Sequence, residues 1–158
     1  MSRRAFIALT AIGLSFQSDR RWMSKREQNP TMDQETVQQL LERLGQAISA
    51  GDFKGVSACW EVPALFLSDE GAMAFANLSE IEKVMAQASE SYRAQGIAST
   101  RPEIEGVERL SEKLAAVDVR WPSLDASGKE KASERSHYIM QLSKDGQPRI
   151  RVALTRTR

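Results

Sequence analysis

Val37, Leu40, Leu41, Leu44 and Ile48 recur at helical spacing, with Gln38, Gln39, Glu42, Arg43 and Gln46 filling the positions between them. A single apolar stripe of this kind predicts an amphipathic helix. Thr31-Met32-Asp33-Gln34 fits a capping box at its start. Gly51 offers the left-handed residue that ends it. Asp52 is placed to cap a short second helix over Phe53–Cys59. Pro63 then stops helix and leaves Val62 extended. Ala64–Leu67 reads as a short strand, Asp69-Glu70-Gly71 as a turn, and Ala72–Ala76 as the returning arm of a hairpin. A second stripe of Ile81, Val84, Met85, Ala88 and Tyr92 predicts a third helix. It starts at Asn77 or at a Ser79–Glu82 box and closes at Gly96.

From Ile97 onward the period changes from 3.6 to 2. Thr100–Leu110 reads as a strand with a bulge near Gly106. In Leu114–Trp121, the residues Ala115, Val117, Val119 and Trp121 share one face, and Ala116, Asp118 and Arg120 share the other. Ser133–Leu142 places Tyr138, Met140 and Leu142 together. Arg149–Thr155 places Ile150, Val152 and Leu154 together. Asp125-Ala126-Ser127-Gly128 and Lys144-Asp145-Gly146 are the turns between these strands. Helices first and an antiparallel meander afterwards make the class α+β. The expected form is a curved antiparallel sheet wrapping three N-terminal helices, with a polar face outside.

Composition changes this picture at one place. The 158 residues carry 22 basic and 21 acidic side chains, for a net charge of +1. Residues 1–31 hold six of the basic residues and two of the acids, so a basic leader precedes a mildly acidic body. Such asymmetry marks a targeting or tail segment. Arg3-Arg4 ahead of the apolar stretch Ala8–Phe16 resembles a twin-arginine export signal, although no small-x-small cleavage site follows. An uncleaved anchor is a second reading. A mis-assigned start is a third, since Met23 and Met32 both suit initiation. Residues 1–31 are therefore an N-terminal extension, and 32–158 is the domain. The domain is expected in the cytoplasm, or exported if the leader is a signal.

The single cysteine, Cys59, excludes an intramolecular disulfide framework, and the single histidine, His137, excludes paired-histidine zinc motifs. No cofactor and no metal is expected. No apolar run reaches the ~20 residues of a membrane span. Without a basic stripe interleaved with aromatics, nucleic acid is not an expected partner.

The element order is similar to the nuclear transport factor 2-like superfamily, which includes SnoaL-like and ketosteroid-isomerase-like proteins. The local features behind the resemblance are Ala50-Gly51-Asp52-Phe53, Cys59-Trp60-Glu61-Val62-Pro63, Tyr92-Arg93-Ala94-Gln95-Gly96, Val119-Arg120-Trp121-Pro122 and Arg149-Ile150-Arg151-Val152. The resemblance covers about residues 33–156. It implies a cone-shaped fold with a pocket open at one end, and a homodimer paired through the outer sheet face. It decides nothing about chemistry, because family members include both enzymes and non-catalytic binding modules.

Strand parity tests each catalytic candidate. His137 falls with Arg135, Ile139 and Gln141 on the outer face. Asp118 and Arg120 do the same and, with Arg151, suit a charged cross-strand ladder. Asp69 and Glu70 fall in a turn. Cys59 reads as a small buried thiol. No catalytic residue is assigned. Trp60, Phe66, Phe75, Tyr92, Trp121, Tyr138 and Met140 remain for the inner face, a lining suited to a small apolar molecule. The expected function is non-catalytic binding of such a ligand or a partner. An isomerase, dehydratase or cyclase acting on a small hydrophobic substrate is the alternative. An ionisable group deep in the cavity, with His137, Asp69 and Glu61 as candidates, would favour that enzyme.

Overall fold

The computed structural model describes residues 32–156. The leader at 1–31, and with it the capping role expected of Thr31, lies outside the described residues. Helix α1 spans Gln34–Ala50. Its N-cap is Asp33, whose carboxylate accepts the Thr36 N–H at 2.8 Å. An aspartate satisfies the unpaired N–H groups of a first turn as a threonine would, and adds favourable charge there. Gly51 ends the helix with φ 68°, a left-handed conformation that costs a glycine little. Asp52 caps α2, Phe53–Ser57, by accepting the Gly55 N–H at 3.0 Å.

Helix α3, Leu78–Ala94, is capped by Asn77. The box is Asn77–Glu80 and not Ser79–Glu82. Asn77 accepts the Glu80 N–H at 3.2 Å, and Glu80 reaches back to accept the Ala76 N–H at 2.8 Å. Both candidates have the right spacing. Asn77 takes the role because its backbone is extended, as an N-cap requires.

The strands are β1 Trp60–Ser68, β2 Gly71–Phe75, β3 Ser99–Thr100, β4 Glu103–Arg109, β5 Leu114–Leu124, β6 Glu130–Leu142 and β7 Pro148–Arg156. They form one curved, unclosed sheet in the order β2-β1-β7-β6-β5-β3, with β4 also paired to β5. The sheet is mixed where a wholly antiparallel one was expected. β1 and β7 pair in parallel, because the chain crosses from β1 through α3 and the meander before β7 returns beside it. β1 begins four residues earlier than the alternation predicts. It includes Pro63, which falls in the interval between the Trp60–Ile150 and Leu65–Val152 pairs where the β1–β7 register is interrupted. A proline, lacking an N–H, is tolerated in such an interval.

The bulge expected near Gly106 is present as a register shift between Ile104 and Gly106. A second one, unforeseen, lies opposite Ile139–Met140, where Ile150 and Val152 pair with consecutive residues of β6. The extra residue, Arg151, reverses the parity of β7. Ile150 therefore faces inward with Ala153 and Thr155, while Val152 and Leu154 turn to the outer face beside Ile139 and His137. The expected common face of Ile150, Val152 and Leu154 is thus corrected.

Val37, Leu40 and Leu41 of α1 are fully buried against the inner sheet residues Val117, Val119, Met140 and Ile150 in a single core cluster. Truncating one such leucine to alanine costs about 2–5 kcal/mol. Gly45 lets α1 approach closely. A Cβ there would stand 3.2 Å from Cζ3 of Trp121 and 3.2 Å from Cδ of Pro102. Trp121 thus packs against α1 and also lines the candidate site.

Candidate functional site

Between α3 and the inner face of the sheet lies a cavity of about 220 Å³. Helices supply Leu44, Ile48, Phe53, Ile81, Val84, Met85, Ala88 and Tyr92 to its wall, and strands supply Trp60, Phe66, Phe75, Trp121, Glu134, Ser136, Tyr138, Ala153 and Thr155. Strands β1 and β2 contribute Trp60, Phe66 and Phe75, and the remaining strand residues come from the middle of β6 and the C-terminal halves of β5 and β7. Cross-strand pairing aligns them, Trp121 opposite Glu134, Ser136 opposite Thr155, and Tyr138 opposite Ala153.

Six of the seven residues expected to line a pocket meet here: Trp60, Phe66, Phe75, Tyr92, Trp121 and Tyr138. Met140 does not. It points inward as parity requires, but it sits farther along β6, between Ala115 and Ile150, fully buried in the core. Alternation fixes the face of a residue and says nothing of its depth along the strand. Trp60 meets Phe75 edge to face, with ring centroids 6.5 Å apart.

The polar part of the wall centres on Glu134. The Ser136 hydroxyl donates to its Oε1 at 3.5 Å. Burial pushes its carboxyl above the ordinary glutamate range, and the hydroxyls of Ser136 and Tyr92 offset part of that rise. Burial likewise raises the Tyr92 phenol, and the neighbouring Glu134 carboxylate raises it further. The Tyr138 phenol is raised most, again by burial, with Ser136 and the Trp121 indole opposing. The indole N–H groups of Trp60 and Trp121 are buried without a hydrogen-bond partner among the described residues.

Arg93, the only lysine or arginine in the cavity wall among the described residues, is exposed. Its guanidinium lies beside Gly51, since a Cβ at that glycine would come within 2.9 Å of Nη2. Glu134 makes no salt bridge among the described residues. It is therefore a half-buried acid in the wall of a largely apolar cavity, attended among the described residues by hydroxyls alone.

Glu134 was not among the candidates read from the sequence. The signal for it existed, because stepping back by two from Tyr138 gives Ser136 and then Glu134 on the same face. Of the acids and the histidine that were weighed, none lines the cavity. His137 lies outside, its Nδ1 2.8 Å from Oδ1 of its cross-strand partner Asp118. Glu61 accepts from Ser143 at 2.9 Å and stands 3.6 Å from Arg151. Asp69 is in the exposed β1–β2 turn. Cys59 is buried, its thiol raised by desolvation and directed at the Gly55 carbonyl at 3.5 Å.

The outer face carries the charged ladder, though Arg151 takes no part in it. Arg120 joins Glu103 at 2.7 Å and also Glu130, and Arg135 joins Glu105 at 3.0 Å. These arginines hold the Glu103 and Glu105 carboxyls below the usual range. Among the described residues, no helix is long and apolar enough to cross a membrane. No group of three or more histidine, cysteine, aspartate or glutamate side chains is gathered for a metal among them either.

Comparison with curated proteins returns no match. Solved structures resemble the chain at low identity. A domain of unknown function with a cystatin-like fold from Nostoc punctiforme is 18% identical, with a TM-score of 0.66 over 80% of this chain and 77% of its own. An NTF-2 like protein of unknown function from Shewanella oneidensis is 17% identical, with a TM-score of 0.60 over 78% of this chain and 98% of its own. A ketosteroid isomerase-like protein from Erwinia carotovora atroseptica is 15% identical, with a TM-score of 0.60 over 77% and 93%. At these identities the likeness concerns the fold alone. The sequence pattern described as NTF2-like protein (DUF6841) matches residues 33–158, the whole of the body that carries the helices, the sheet and the cavity, so the chain belongs to that family.

Proposed function

We propose that the domain binds a small, largely apolar molecule in the cavity between α3 and the sheet, with a polar group of the ligand directed at Glu134. One observation carries this reading, the largely apolar cavity of about 220 Å³ with one partly desolvated carboxyl in its wall among the described residues. That volume exceeds the ~150 Å³ that accommodates benzene and falls below the ~300–1,000 Å³ of drug-sized sites. A one- or two-ring molecule fits it. The test is a thermal-shift series with small ring compounds. A binder raises the Tm of the full chain, by a stabilisation that grows as the logarithm of concentration over Kd. Ala88→Phe, which fills the cavity from α3, abolishes the shift. A panel without effect on the unsubstituted chain removes the proposal.

Glu134 itself favours a second reading, a SnoaL-like isomerase, dehydratase or cyclase. A carboxyl with a raised pKa inside an apolar site is suited to taking and returning a proton. Deuterium exchange next to the carbonyl of a small cyclic ketone, followed by NMR, separates the two readings. Exchange accelerated by the protein and lost in Glu134→Gln favours the enzyme. Exchange at the rate of buffer favours binding.

Homodimerisation through the outer face is also part of the proposal. Ile139, Val152 and Leu154 are half-buried there among the ion pairs, a mixture suited to a modest interface. Sedimentation velocity at rising concentration checks it, and a monomer throughout would remove it.

A further inference from the structure

We infer that the ligand of this cavity is a cation, a primary or substituted ammonium carried on a small apolar ring system, with its charge paired to Glu134. The inference rests on the binding reading above and adds the chemical class.

Three observations converge. Among the described residues Glu134 is the only carboxylate in the cavity wall, and its neighbours are the hydroxyls of Tyr92 and Ser136. A carboxylate in such surroundings lacks the counter-charge that normally accompanies burial. The wall's one cation among the described residues, Arg93, is exposed, with its guanidinium against Gly51 at the α1–α2 junction. The rest of the wall is largely apolar, with the rings of Trp60, Trp121, Phe66 and Tyr138 set among aliphatic side chains and several hydroxyls. Aromatic faces attract cations and offer nothing comparable to an anion. An ammonium would supply the missing charge, donate to the carboxylate oxygens, and leave its hydrocarbon part among the rings. A neutral ligand would leave the acid uncompensated. An anionic one would meet it as a like charge.

A bound ammonium also favours the ionised form of Glu134, so binding of the amine and protonation of this carboxyl oppose one another. The groups facing this carboxyl are Tyr92 from α3, Ser136 and Tyr138 from β6, and Trp121 from β5, with Arg93 the other charge in the wall. None of the first four changes charge between acidic and neutral pH, so the coupling is assigned to Glu134.

The experiment compares benzylamine, benzyl alcohol and benzoate on the full 158-residue chain by calorimetry, at neutral pH and at steps down past the ordinary glutamate value of 4.5. Benzylamine should bind about tenfold more tightly than the alcohol at neutral pH, as charge-assisted hydrogen bonds imply. Benzoate should bind most weakly. The amine's advantage should shrink as pH falls and Glu134 is protonated, while the alcohol's affinity stays level. In Glu134→Gln, whose folding is checked by circular dichroism, amine and alcohol should converge. The pH series stands by itself if that variant does not fold. Alcohol or benzoate binding as tightly as the amine, an amine preference that survives in Glu134→Gln, or one that ignores pH overturns the ammonium assignment and leaves the cavity reading intact. Silence from all three probes overturns both.

Discussion

Adjacent residues of β6 meet opposite conditions. Glu134, Ser136 and Tyr138 face an aromatic cavity, while Arg135 and His137 face an ionic surface. On the outer side Arg135 and His137 each have a carboxylate partner. Arg135 is paired with Glu105 at 3.0 Å, and His137 with Asp118 at 2.8 Å. On the inner side Glu134 has only hydroxyls. The same residue chemistry is thus inexpensive on one face and costlier on the other, since the outer charges are paired and screened, while half-buried Glu134 is partly desolvated by the cavity wall and has no such partner among the described residues. The outer pairs are a solvated network with little individual weight. The unpaired acid inside is where the structure departs from what stability alone would select.

Substitutions sharpen the contrast, beginning with the largest expected effect. Trp121→Ala removes an inner aromatic that joins α1 to the cavity wall, and should cost about 3–5 kcal/mol in urea unfolding. A loss under ~1 kcal/mol would show that the inner face is loosely packed. Gly45→Val places methyl groups against Trp121 and Pro102, already within 3.2 Å of a first carbon. It should destabilise by about 1–3 kcal/mol through overpacking.

Glu134→Gln should act in the opposite direction. The folded-state pKa of Glu134 is raised, so its protonated form favours the fold. That contribution is fully present below the unfolded value of 4.5 and is lost as pH rises through the raised folded value. The glutamine variant should therefore be more stable than the parent above this window, by on the order of 1 kcal/mol, and no more stable below it. Melting curves from pH 3 to pH 8, about the range that brackets a shifted glutamate, check the sign. A parent that outlasts the variant at neutral pH would contradict an uncompensated acid.

The smallest effect belongs to the outer pair. His137→Ala should change stability by about 0–1 kcal/mol, and less at high salt. A loss comparable to that of Trp121→Ala would mean that the outer face is no simple solvated surface.

Much of this was legible in the chain. The stripe of Val37, Leu40, Leu41 and Leu44 marks the buried side of α1, because a helix has one period and one face to bury. The outer position of His137 and the inner position of Tyr138 followed from alternation alone. The cavity wall was largely readable for the same reason, and Glu134 could have been found by continuing the alternation two more steps. The composition of a strand end draws attention to its aromatics, and an acid near a predicted boundary is easily taken for solvent-exposed.

Other features had no local signal. The parity of β7 depends on Arg151 being left over when β6 and β7 pair, and both possible registers look alike in sequence. Met140 belongs to the core and not the cavity because of where α1 crosses the sheet. The parallel pairing of β1 with β7 joins segments some ninety residues apart. The sequence by itself determined most of the elements, their order and the buried faces of α1, α3, β5 and β6, since those depend on neighbours within a few residues. Only the tertiary structure decided which end of the inner face stays open and that Glu134 stands there without a counter-charge. Volume and desolvation arise when distant segments enclose a space, and no single segment contains either.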